Sequence, residues 1–465
     1  MAQKSLVHFD ISERKVLLRI MDIFSILFTL TLVSIIFKFD YFKITPDYWG
    51  WTVILIGYLM LFSTIFELYD LQKASKFEIV LKNVILTVSV TVLFFMLTPF
   101  YSPSLPENRL QILFFFLSMV GALLLWRFAY ITLISSPRFY KKALLIGDVA
   151  ELKLMVEALQ KSDPNYVITG YINTGKKETD LDYKELQQFE ATHLKTIIKD
   201  QHINEIVVAS SKVKSKEVTA SLLKDLNSLL IQGFPIKDYT QVYENLTYRV
   251  PVQHIGKDFY KFFLFSRSNH NKFYLFSLRF FDVFFSIIGL LFCFLLIPFI
   301  FLINLLSNKG DLFYSQDRVG KHAKHFRIVK FRTMLKDAEI NGPQWAEKYD
   351  NRITSFGKFL RRTRLDEFPQ FFNVLKGDMS IIGPRPERPV FVKELSKKLP
   401  FYKTRHIVKP GLTGWAQVKA NYGSSYIDSL EKLQYDLYYI KHRGLFLDLN
   451  ILLKTFSTIL FFRGQ

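Results

Sequence analysis

Four long apolar stretches near the start of the chain restrict its fold more than any other feature. They occupy residues of about 20–37, 49–69, 79–98 and 110–134. Each approaches the roughly 20 residues that an α-helix needs to cross a bilayer. Half of all residues are hydrophobic and 47 are Phe, which is unusual for a soluble globular protein. Long buried helices of a soluble bundle are the less favoured alternative. We predict a membrane protein whose residues 1–138 form a four-helix transmembrane bundle.

Basic residues flanking these stretches predict which side of the membrane each connection occupies. They are concentrated before the first stretch, in the second connection and after the fourth stretch, at Lys4, Arg14, Lys15, Arg19, Lys73, Lys76, Arg138, Lys141 and Lys142. Cytoplasmic loops carry an excess of Lys and Arg, so both ends of the bundle are expected in the cytoplasm. No small-residue cleavage pattern follows the first stretch, which we therefore expect to be an anchor and not a removable signal peptide.

Short apolar runs alternate with helix-like segments in residues 139–265. The runs ALLIGD, YVITGYIN, EIVVAS and FPIKDY have the composition of strands, and the alternation predicts a small Rossmann-like α/β domain. Gly147 of ALLIGD is followed by DVAE. A dinucleotide site needs further glycines there, so that the backbone can approach the pyrophosphate closely. We interpret the domain as a degenerate nucleotide fold with a structural, oligomerising or regulatory role.

A fifth apolar segment, Phe280 to Leu306, is long enough to span the membrane but has basic residues on both flanks. They are Lys257, Lys261, Arg267, Lys272 and Arg279 before it, and Lys309, Arg318, Lys321, Lys324 and Arg327 after it. Pro298 lies inside the segment and removes one backbone hydrogen bond. We therefore expect a re-entrant helix hairpin over residues 275–306, broken near Pro298, whose two ends are both cytoplasmic; a simple span is the alternative. Asp282 is costly in lipid and is predicted to pair with Arg279.

The basic surplus of the chain is concentrated in its last third. The whole chain carries a formal charge of +20, and residues 307–465 contain 29 Lys and Arg against 15 Asp and Glu. Such a charge is consistent with nucleic acid, an anionic membrane face or phosphorylated substrates. Arginines recur in short motifs beside Gly and Pro, a pattern that favours convergence on one anion over a diffuse solvated face.

Two adjacent carboxylates, Asp366 and Glu367, stand directly behind three arginines in the segment RRTRLDEFPQ. One explanation is structural: Asp366 caps the helix that follows, with Pro369 in its first turn. The other is catalytic, because phosphoryl transfer needs cations around a polyanionic donor, and a carboxylate can act as nucleophile or as ligand of Mg²⁺. The spacing leaves both explanations open.

Ordered motifs run from about Leu275 to the C-terminus. They are SLRFFDVFFS, FYSQDRVG, KFRTM, RITSFGKFLRRTRLDEFPQFFNVLKGDMSIIGPRP and PGLTGWAQV. Over about 190 residues this order resembles the bacterial sugar transferase family, the monotopic polyprenyl-phosphate phosphoglycosyl transferases that start exopolysaccharide, capsule or O-antigen synthesis. With four N-terminal spans and a degenerate nucleotide-fold domain, the whole chain is similar to the large, exopolysaccharide-initiating members of that family.

The resemblance implies a mechanism in two steps. Asp366 would attack the β-phosphate of a UDP-sugar and release UMP, and undecaprenyl phosphate would then take the phosphosugar from the carboxylate. Glu367 would ligate Mg²⁺. Donor phosphates would be bound by Arg385 and Arg361. The remaining implied site residues are Lys330 and Gln417 near the donor, and Arg279, Asp282 and Pro298 in the re-entrant helix.

The resemblance also implies partners and a location. The donor would be a UDP-sugar, with UDP-glucose and UDP-galactose as candidates by analogy, and the acceptor would be undecaprenyl phosphate. A homodimer, contact with membrane lipid and no nucleic-acid partner are expected. The chain would lie in the bacterial cytoplasmic membrane, with a mainly α-helical catalytic domain of residues 307–465 on the cytoplasmic face.

Two departures from the family pattern leave the sugar open. Arg364 stands where a small residue is common in the family. After WAQV the chain reads KANYGSSYIDSLEK, whereas many members continue with Asn-Gly-Arg. The C-terminal segment 445–464 mixes an apolar face with Asp448, Lys454 and Arg463, which fits either a helix in the membrane interface or a core helix of the catalytic domain.

Two rival functions remain weaker alternatives. A membrane-anchored sugar-nucleotide dehydratase or epimerase would need an intact glycine fingerprint in the middle domain. A membrane-tethered scaffold or nucleic-acid binder would need a recognisable binding motif in the basic region, and we find neither a helix-turn-helix nor an aromatic stacking platform. The single cysteine, Cys293, and the scattered His residues predict neither a disulfide framework nor a zinc site.

Overall fold

The computed structural model describes most of the chain as two units. The described residues are 11–134 without 38, 40 and 99; 140–147; 152, 155, 156 and 159; 166–174; 186–209; 216–255; 266–307; 310–335; 338; 350–420; and 425–460. The first unit is Met1–Thr247 and the second is Tyr248–Gln465.

The first unit begins with apolar helices at the positions of the four predicted stretches. Their bounds are α1 Ile11–Phe37, α2 Trp49–Ile65, α3 Leu71–Ala74, α4 Phe77–Met96 and α5 Leu110–Ala129, which continues as the π-helical turn Tyr130–Ile134. All except α3 are long and apolar enough to cross a membrane. The four long helices share one buried apolar core, whereas Ile35 and Leu125 are examples of large apolar side chains that stay exposed. An apolar outer face is expected of helices that contact lipid.

A buried ion pair joins the first and last of these helices. Arg127 of α5 donates to Asp22 of α1 at 2.6 Å, and both side chains are fully buried. A charged group among apolar helices is costly unless it is paired. The pair therefore fixes which faces of α1 and α5 contact each other. Hydropathy alone did not indicate this contact, because its two members lie 105 residues apart.

The rest of the first unit is built on a parallel sheet. Its strands are β1 Lys141–Gly147, β2 Tyr166–Asn173, β3 Gln187–Gln188, β4 Glu205–Val208 and β5 Ile236–Asp238, and its helices are α6 Leu194–Asp200, α7 Lys216–Ile231 and α8 Tyr239–Thr247. The strand order is β3-β2-β1-β4-β5 with every pairing parallel, which confirms the predicted α/β architecture. A Cβ on Gly147 would lie 2.6 Å from Cβ of Ala209, so close packing alone explains this glycine. Residues 148–151, which decide the dinucleotide question, lie outside the described residues.

The second unit is mainly α-helical, as predicted. Its helices are α9 Val252–Ile255, α10 Lys272–Ser307, α11 Ser355–Arg362, α12 Phe371–Lys376, α13 Pro389–Lys398, α14 Trp415–Lys419, α15 Tyr426–His442 and α16 Leu445–Leu460. Its strands are β6 Phe313–Val319, β7 His325–Phe331, β8 Ser380–Ile382 and β9 Gly411–Thr413. β6 and β7 form an antiparallel hairpin, and β8 pairs with β9 in parallel. Val250 and Val252 belong to the core of this unit, although the predicted boundary at residue 265 assigned them to the middle domain.

The fifth apolar segment forms one helix, α10, which continues through Pro298 without the predicted break. Proline removes its own N–H but leaves the helical bonds on either side, and here these suffice to continue the helix. The buried residues of α10 are Tyr274, Asp282, Ser286, Gly289, Cys293, Ile300 and Asn304, a spacing that places them on one face. The opposite face is apolar and exposed, for example at Phe276, Phe294 and Leu302.

The predicted pair of Asp282 with Arg279 is wrong. Asp282 Oδ1 accepts hydrogen bonds from Ser380 Oγ at 2.9 Å and from the backbone N–H of Ile381 at 2.8 Å. Arg279 donates instead to two carbonyls at the C-terminal end of α12, those of Val374 and Leu375. Each side chain therefore bonds to backbone groups of segments that are distant from α10 in sequence but belong to the same unit. Both residues fasten α10 to the rest of the unit.

The C-terminal helix α16 has an inner face in the core and an outer apolar face. Ile451 is fully buried in the main cluster of the unit, and Asp448 accepts hydrogen bonds from Tyr274 and Tyr439. On the other side, Phe446 and Phe456 are exposed. The helix therefore belongs to the core, as one of the two alternatives held, and also presents an apolar surface.

Candidate active site

The two adjacent carboxylates lie on a 3₁₀-helix, Leu365–Gln370, between α11 and α12. Arg364, at the N-cap, has a left-handed backbone with φ of 59°, and it separates α11 from the 3₁₀-helix. No side chain caps the 3₁₀-helix or α12. The structural explanation of Asp366 as a helix cap is therefore wrong, and its carboxylate needs another account.

Glu367 forms ion pairs with three cationic side chains and accepts hydrogen bonds from two of them, Lys330 and Arg385. Its Oε1 lies 2.9 Å from Arg385 Nη2, 3.0 Å from Lys330 Nζ and 3.6 Å from Arg364 Nη1. These donors come from the loop after β8, from β7 and from the turn before the 3₁₀-helix. One carboxylate therefore draws together three segments that are distant in sequence.

Asp366 differs from its neighbour, because its carboxylate accepts no hydrogen bond from any residue that the structure describes. Only 7% of the residue is exposed. Cationic side chains of Lys330, Arg361 and Arg364 act on it through charge. Its oxygen lone pairs thus remain available in a positive environment, which is what a nucleophilic carboxylate requires.

Burial and charge separate the proton affinities of the two acids. Burial, and then the neighbouring Glu367 charge, raise the pKa of Asp366 to about 6. Burial would also raise the pKa of Glu367, but Lys330, Arg385 and Arg364 hold that pKa well below its usual range. Glu367 is therefore the permanently ionised member of the pair, and opposed environments of this kind are typical of functional carboxylates.

We expect an Asp366→Asn variant to be more stable than the wild type at neutral pH. The pKa of Asp366 is about 6 in the folded protein and about 3.9 in an unfolded chain, so the folded state binds this proton more tightly. Above pH of about 6 the charged carboxylate costs up to about 3 kcal/mol of stability, and this cost disappears as the pH falls towards about 4. Thermal midpoints in detergent should show a gain of several degrees at pH of about 7.5 and only about a third of that gain at about 4.5.

Asp317→Asn provides the matched control for this stability measurement. Asp317 is exposed on β6 and forms an ion pair with Arg327 at 3.3 Å. Its neutralisation should leave the midpoint almost unchanged at both pH values, because exposed pairs contribute little. An Asp366→Asn gain that did not vary with pH would contradict the assigned pKa.

A small cleft adjoins the carboxylates. It is lined by Arg318, Ile328, Lys330, Gln370, Arg385, Pro386, Gly411 and Leu412. Two of its cations, Lys330 and Arg385, also contact Glu367. Its lining combines the cationic side chains of Arg318, Lys330 and Arg385 with apolar ones such as Ile328 and Leu412.

Sequence reasoning missed two residues of this cleft, Arg318 and Gln370. Arg318 Nη1 donates to the backbone carbonyl of Pro386 at 3.0 Å, and burial lowers the pKa of its guanidinium. The hairpin register pairs Arg318 with Phe326, and alternation along β7 places Phe326, Ile328 and Lys330 on one face. The motif FYSQDRVG alone does not predict that Arg318 lies in the cleft, because this position depends on the register of the hairpin.

Of the two remaining predicted residues, Arg361 lies near the carboxylates and Gln417 does not line the cleft. Arg361, on α11, donates from Nε to Thr333 Oγ1 at 2.9 Å and acts on Asp366 through charge. Gln417 lies on α14, is absent from the cleft lining, and its buried Nε2 has no hydrogen-bond partner among the described residues. The structure therefore brings Lys330, Arg361 and Arg385 to the carboxylates but not Gln417.

The donor set fits a hard divalent cation that relies on its substrate for further ligands. In the described part of the chain, no group of three or more His, Cys, Asp or Glu side chains is placed to hold a metal ion. Mg²⁺ often takes only one or two carboxylates and completes its shell with phosphate oxygens and water. Asp366 and Glu367 offer carboxylate oxygens beside the cleft, although Oε1 of Glu367 already has three cationic neighbours.

Sequence comparisons agree with this geometry. The model of the family described as bacterial sugar transferase matches residues 273–462. The UDP-N-acetylgalactosamine-undecaprenyl-phosphate N-acetylgalactosaminephosphotransferase of Aeromonas hydrophila is 44% identical over 227 residues, which are 49% of this chain and 52% of that protein. The UDP-glucose:undecaprenyl-phosphate glucose-1-phosphate transferase of Xanthomonas campestris pv. campestris is 44% identical over 158 residues, 33% of each chain.

A shorter relative is covered for most of its length. The uncharacterized sugar transferase EpsL of Bacillus subtilis (strain 168) is 38% identical over 159 residues, which are 33% of this chain and 73% of that protein. The chain thus spans about half the length of the Aeromonas relative but nearly three quarters of the Bacillus one. The range matched by the family model contains both carboxylates and the whole cleft. The chain belongs to the bacterial sugar transferase family.

Proposed function

We propose that this protein transfers a sugar-1-phosphate from a UDP-sugar to undecaprenyl phosphate and releases UMP. The observation that carries the proposal is Asp366, a buried carboxylate that accepts no hydrogen bond in the described structure and lies among cations. It lies within the residues matched by the family model, and relatives named for this type of transfer are 44% identical over 227 and 158 residues. The reaction would be the first membrane step of exopolysaccharide, capsule or O-antigen synthesis.

The chemistry divides into two displacements at the same phosphorus atom. In the first, an Asp366 oxygen bonds to the β-phosphorus of the donor, and the bond from that phosphorus to the bridging oxygen breaks. UMP leaves with the bridging oxygen and its electron pair, and an acyl phosphate remains on Asp366. In the second, a phosphate oxygen of undecaprenyl phosphate attacks the same phosphorus and restores the free carboxylate. The product is undecaprenyl-diphospho-sugar, and a covalent intermediate of this kind predicts ping-pong kinetics.

Cationic side chains would hold the donor and stabilise the leaving group. Lys330, Arg385 and Arg318 line the cleft, and we infer that they bind the donor diphosphate. Arg361 acts on Asp366 through charge, so it would face the phosphorus from the side of the nucleophile. Arginine forks and the partly buried Lys330 would neutralise the charge that passes to UMP as the bond breaks. Gln417 has no support as a contact to the donor.

We propose Mg²⁺ as the cofactor, held by Glu367 together with oxygens of the donor. When bound, the ion would neutralise charge on the diphosphate. Glu367 stays ionised at neutral pH because its cationic neighbours lower its pKa, so it can act as a ligand across the working range. The same cations fix the orientation of the Glu367 carboxylate, whereas the Asp366 carboxylate would act as the nucleophile.

The packing of α10 supports membrane attachment from one side. Tyr274 near its start bonds to Asp448, and Ile300 packs beside Leu360, so two distant points of the helix contact the same unit. A straight helix places these residues about 39 Å apart, more than the roughly 30 Å of a bilayer core. A simple span would require the polar unit to extend through the lipid. We therefore infer that α10 is embedded from the cytoplasmic face of the bacterial inner membrane, while α1, α2, α4 and α5 cross it.

The rival functions explain less of the molecule. Neither a dehydratase nor a nucleic-acid binder accounts for a buried carboxylate pair beside a basic cleft. A homodimer stays a prediction from the resemblance, and the mass of the solubilised protein would test it.

UMP release from a panel of donors tests the proposed function. The full-length protein in native-like lipid would receive undecaprenyl phosphate, Mg²⁺ and one of UDP-N-acetylgalactosamine, UDP-glucose or UDP-galactose. We expect one donor to yield UMP and lipid-linked sugar in equal amounts. UDP-N-acetylgalactosamine is tested first, because the longest of the reported matches is to an enzyme named for that sugar. Absence of release from every UDP-sugar would contradict the proposal.

A further inference from the structure

The loop after β8, residues 383–387 with the sequence GPRPE, is held by hydrogen bonds at four consecutive carbonyls. The donors are Gly411 N to Pro384 O at 3.0 Å, Arg405 Nη2 to Arg385 O at 2.9 Å, Arg318 Nη1 to Pro386 O at 3.0 Å, and Val319 N to Glu387 O at 3.0 Å. Two prolines restrict the loop further by fixing their own φ angles. The backbone that carries Arg385 is therefore rigid before any substrate arrives.

One of these donors, Arg405, is not part of the cleft. It lies on the 3₁₀-helix Tyr402–Ile407 and is 6% exposed. Its Nη2 lies 2.7 Å from Oδ2 of Asp436 on α15, which is 2% exposed, and its Nη1 donates to the hydroxyl of Tyr402 at 2.6 Å. A chain of contacts thus runs from α15 through Arg405 to the carbonyl of Arg385.

A buried ion pair of this kind is a poor device for stability alone. The cost of removing two charges from water commonly cancels their attraction, and well-packed apolar residues of similar volume are often as stable. An apolar pair could not donate a hydrogen bond to the carbonyl of Arg385, as Arg405 does. The guanidinium fork supplies it, because one plane carries donors to several partners at fixed angles.

We propose that Arg405, oriented by Asp436, is a positioning residue that sets the backbone of Arg385, and that this setting directs the Arg385 side chain at Glu367 and the donor. The inference rests on the proposed function, since a displaced Arg385 would be detected as a change in the rate of that reaction. Arg405 does not line the cleft, and its only contact with a lining residue described above is the hydrogen bond to the backbone carbonyl of Arg385. Its loss should act through Arg385, and misplacement of a charged group by about 1 Å can cost on the order of 10²-fold in rate.

The test compares three variants of the full-length protein in lipid. In Arg405→Met/Asp436→Leu both buried charges are removed together, so that neither is left unpaired. Arg405→Lys keeps the charge but lacks the fork. Tyr402→Phe is the matched control, because it removes the acceptor of Nη1 and leaves the Nη2 contact to Arg385 intact. Each would be measured for thermal midpoint, and for kcat and KM of the active UDP-sugar.

We expect the double variant to keep its midpoint within a few degrees while its kcat falls at least about tenfold and its KM changes less than about threefold. The positioning role predicts this split because Lys330 and Arg318 would still bind the diphosphate, whereas a displaced Arg385 would no longer stabilise the charge that develops on UMP in the transition state. Arg405→Lys should fall between the double variant and the wild type, and Tyr402→Phe should keep its kcat.

Three outcomes distinguish a failure of the inference from a failure of the proposed function. A folded double variant with unchanged kcat, in an enzyme that otherwise releases UMP, would overturn the positioning role alone. If the double variant did not fold, a wild-type kcat in Arg405→Lys would overturn it equally. A wild type that released no UMP from any donor would instead refute the proposed function.

Discussion

The Asp366→Asn variant is expected to lose UMP release by on the order of 10⁴-fold or more. An amide lacks the anionic oxygen that would attack phosphorus, and removal of a catalytic nucleophile typically costs at least this much. Because Asp366 accepts no hydrogen bond in the described structure, the substitution breaks no structural contact there. The variant should moreover be more stable than the wild type at neutral pH, so that unfolding would not explain its inactivity.

The covalent step offers a second measurement on the same variant. Without acceptor lipid, the wild type should exchange labelled UMP into the UDP-sugar and gain the mass of one phosphosugar. Asp366→Asn should do neither. Asp317→Asn is again the matched control and should behave as the wild type, since its carboxylate is exposed on β6. Near-normal exchange by Asp366→Asn would refute the role of Asp366 as nucleophile.

The sequence predicted the helices and strands that depend mainly on residues close together in the chain. The apolar stretches predicted the long helices to within several residues, because composition over about 20 positions decides whether a helix suits lipid. Alternating strand and helix patterns likewise predicted the parallel sheet. The pair Asp366 and Glu367 was also identified, although only the structure excluded the alternative of a helix cap.

Contacts between distant segments were beyond the reach of local patterns. Asp282 was assigned to Arg279, three residues away, but its partners are Ser380 and Ile381 on β8. Arg318 was missed because its place in the cleft depends on the register of a hairpin. The partners of Glu367 come from three segments, and no local spacing encodes such convergence.

The helix that carries the carboxylates packs directly on α10. The ring of Phe368 lies 5.4 Å from that of Phe292, and Phe371 packs against Gly289, where a Cβ would come within 2.5 Å of its ring. Gly289 therefore allows the close approach. Asp366 is therefore two residues from an aromatic side chain that packs on the apolar helix.

The Glu367→Gln variant is expected to lose on the order of 10²–10³-fold in kcat/KM, a typical cost for removing one charged stabilising group. Oε1 of Glu367 forms ion pairs with Lys330, Arg385 and Arg364, and a neutral amide cannot attract all three. If Glu367 also holds Mg²⁺, half-maximal activation will require a higher Mg²⁺ concentration. UMP release measured across Mg²⁺ concentrations reports both effects.

Stability distinguishes this variant from Asp366→Asn. The pKa of Glu367 lies well below its usual range, so its ionised form stabilises the fold at neutral pH, and that contribution is lost as the pH falls through the folded-state pKa. Glu367→Gln should therefore lower the thermal midpoint at pH of about 7.5, whereas Asp366→Asn should raise it.

Glu394→Gln is the matched control for Glu367→Gln, because it neutralises an exposed glutamate that pairs with Lys398 on α13, and it should change neither activity nor midpoint. A Glu367→Gln enzyme with activity within about threefold of the wild type would show that the three cations need no shared carboxylate. Opposite stability shifts in two inactive variants of adjacent residues would instead mean that one acid is placed to react and the other to hold the site in order.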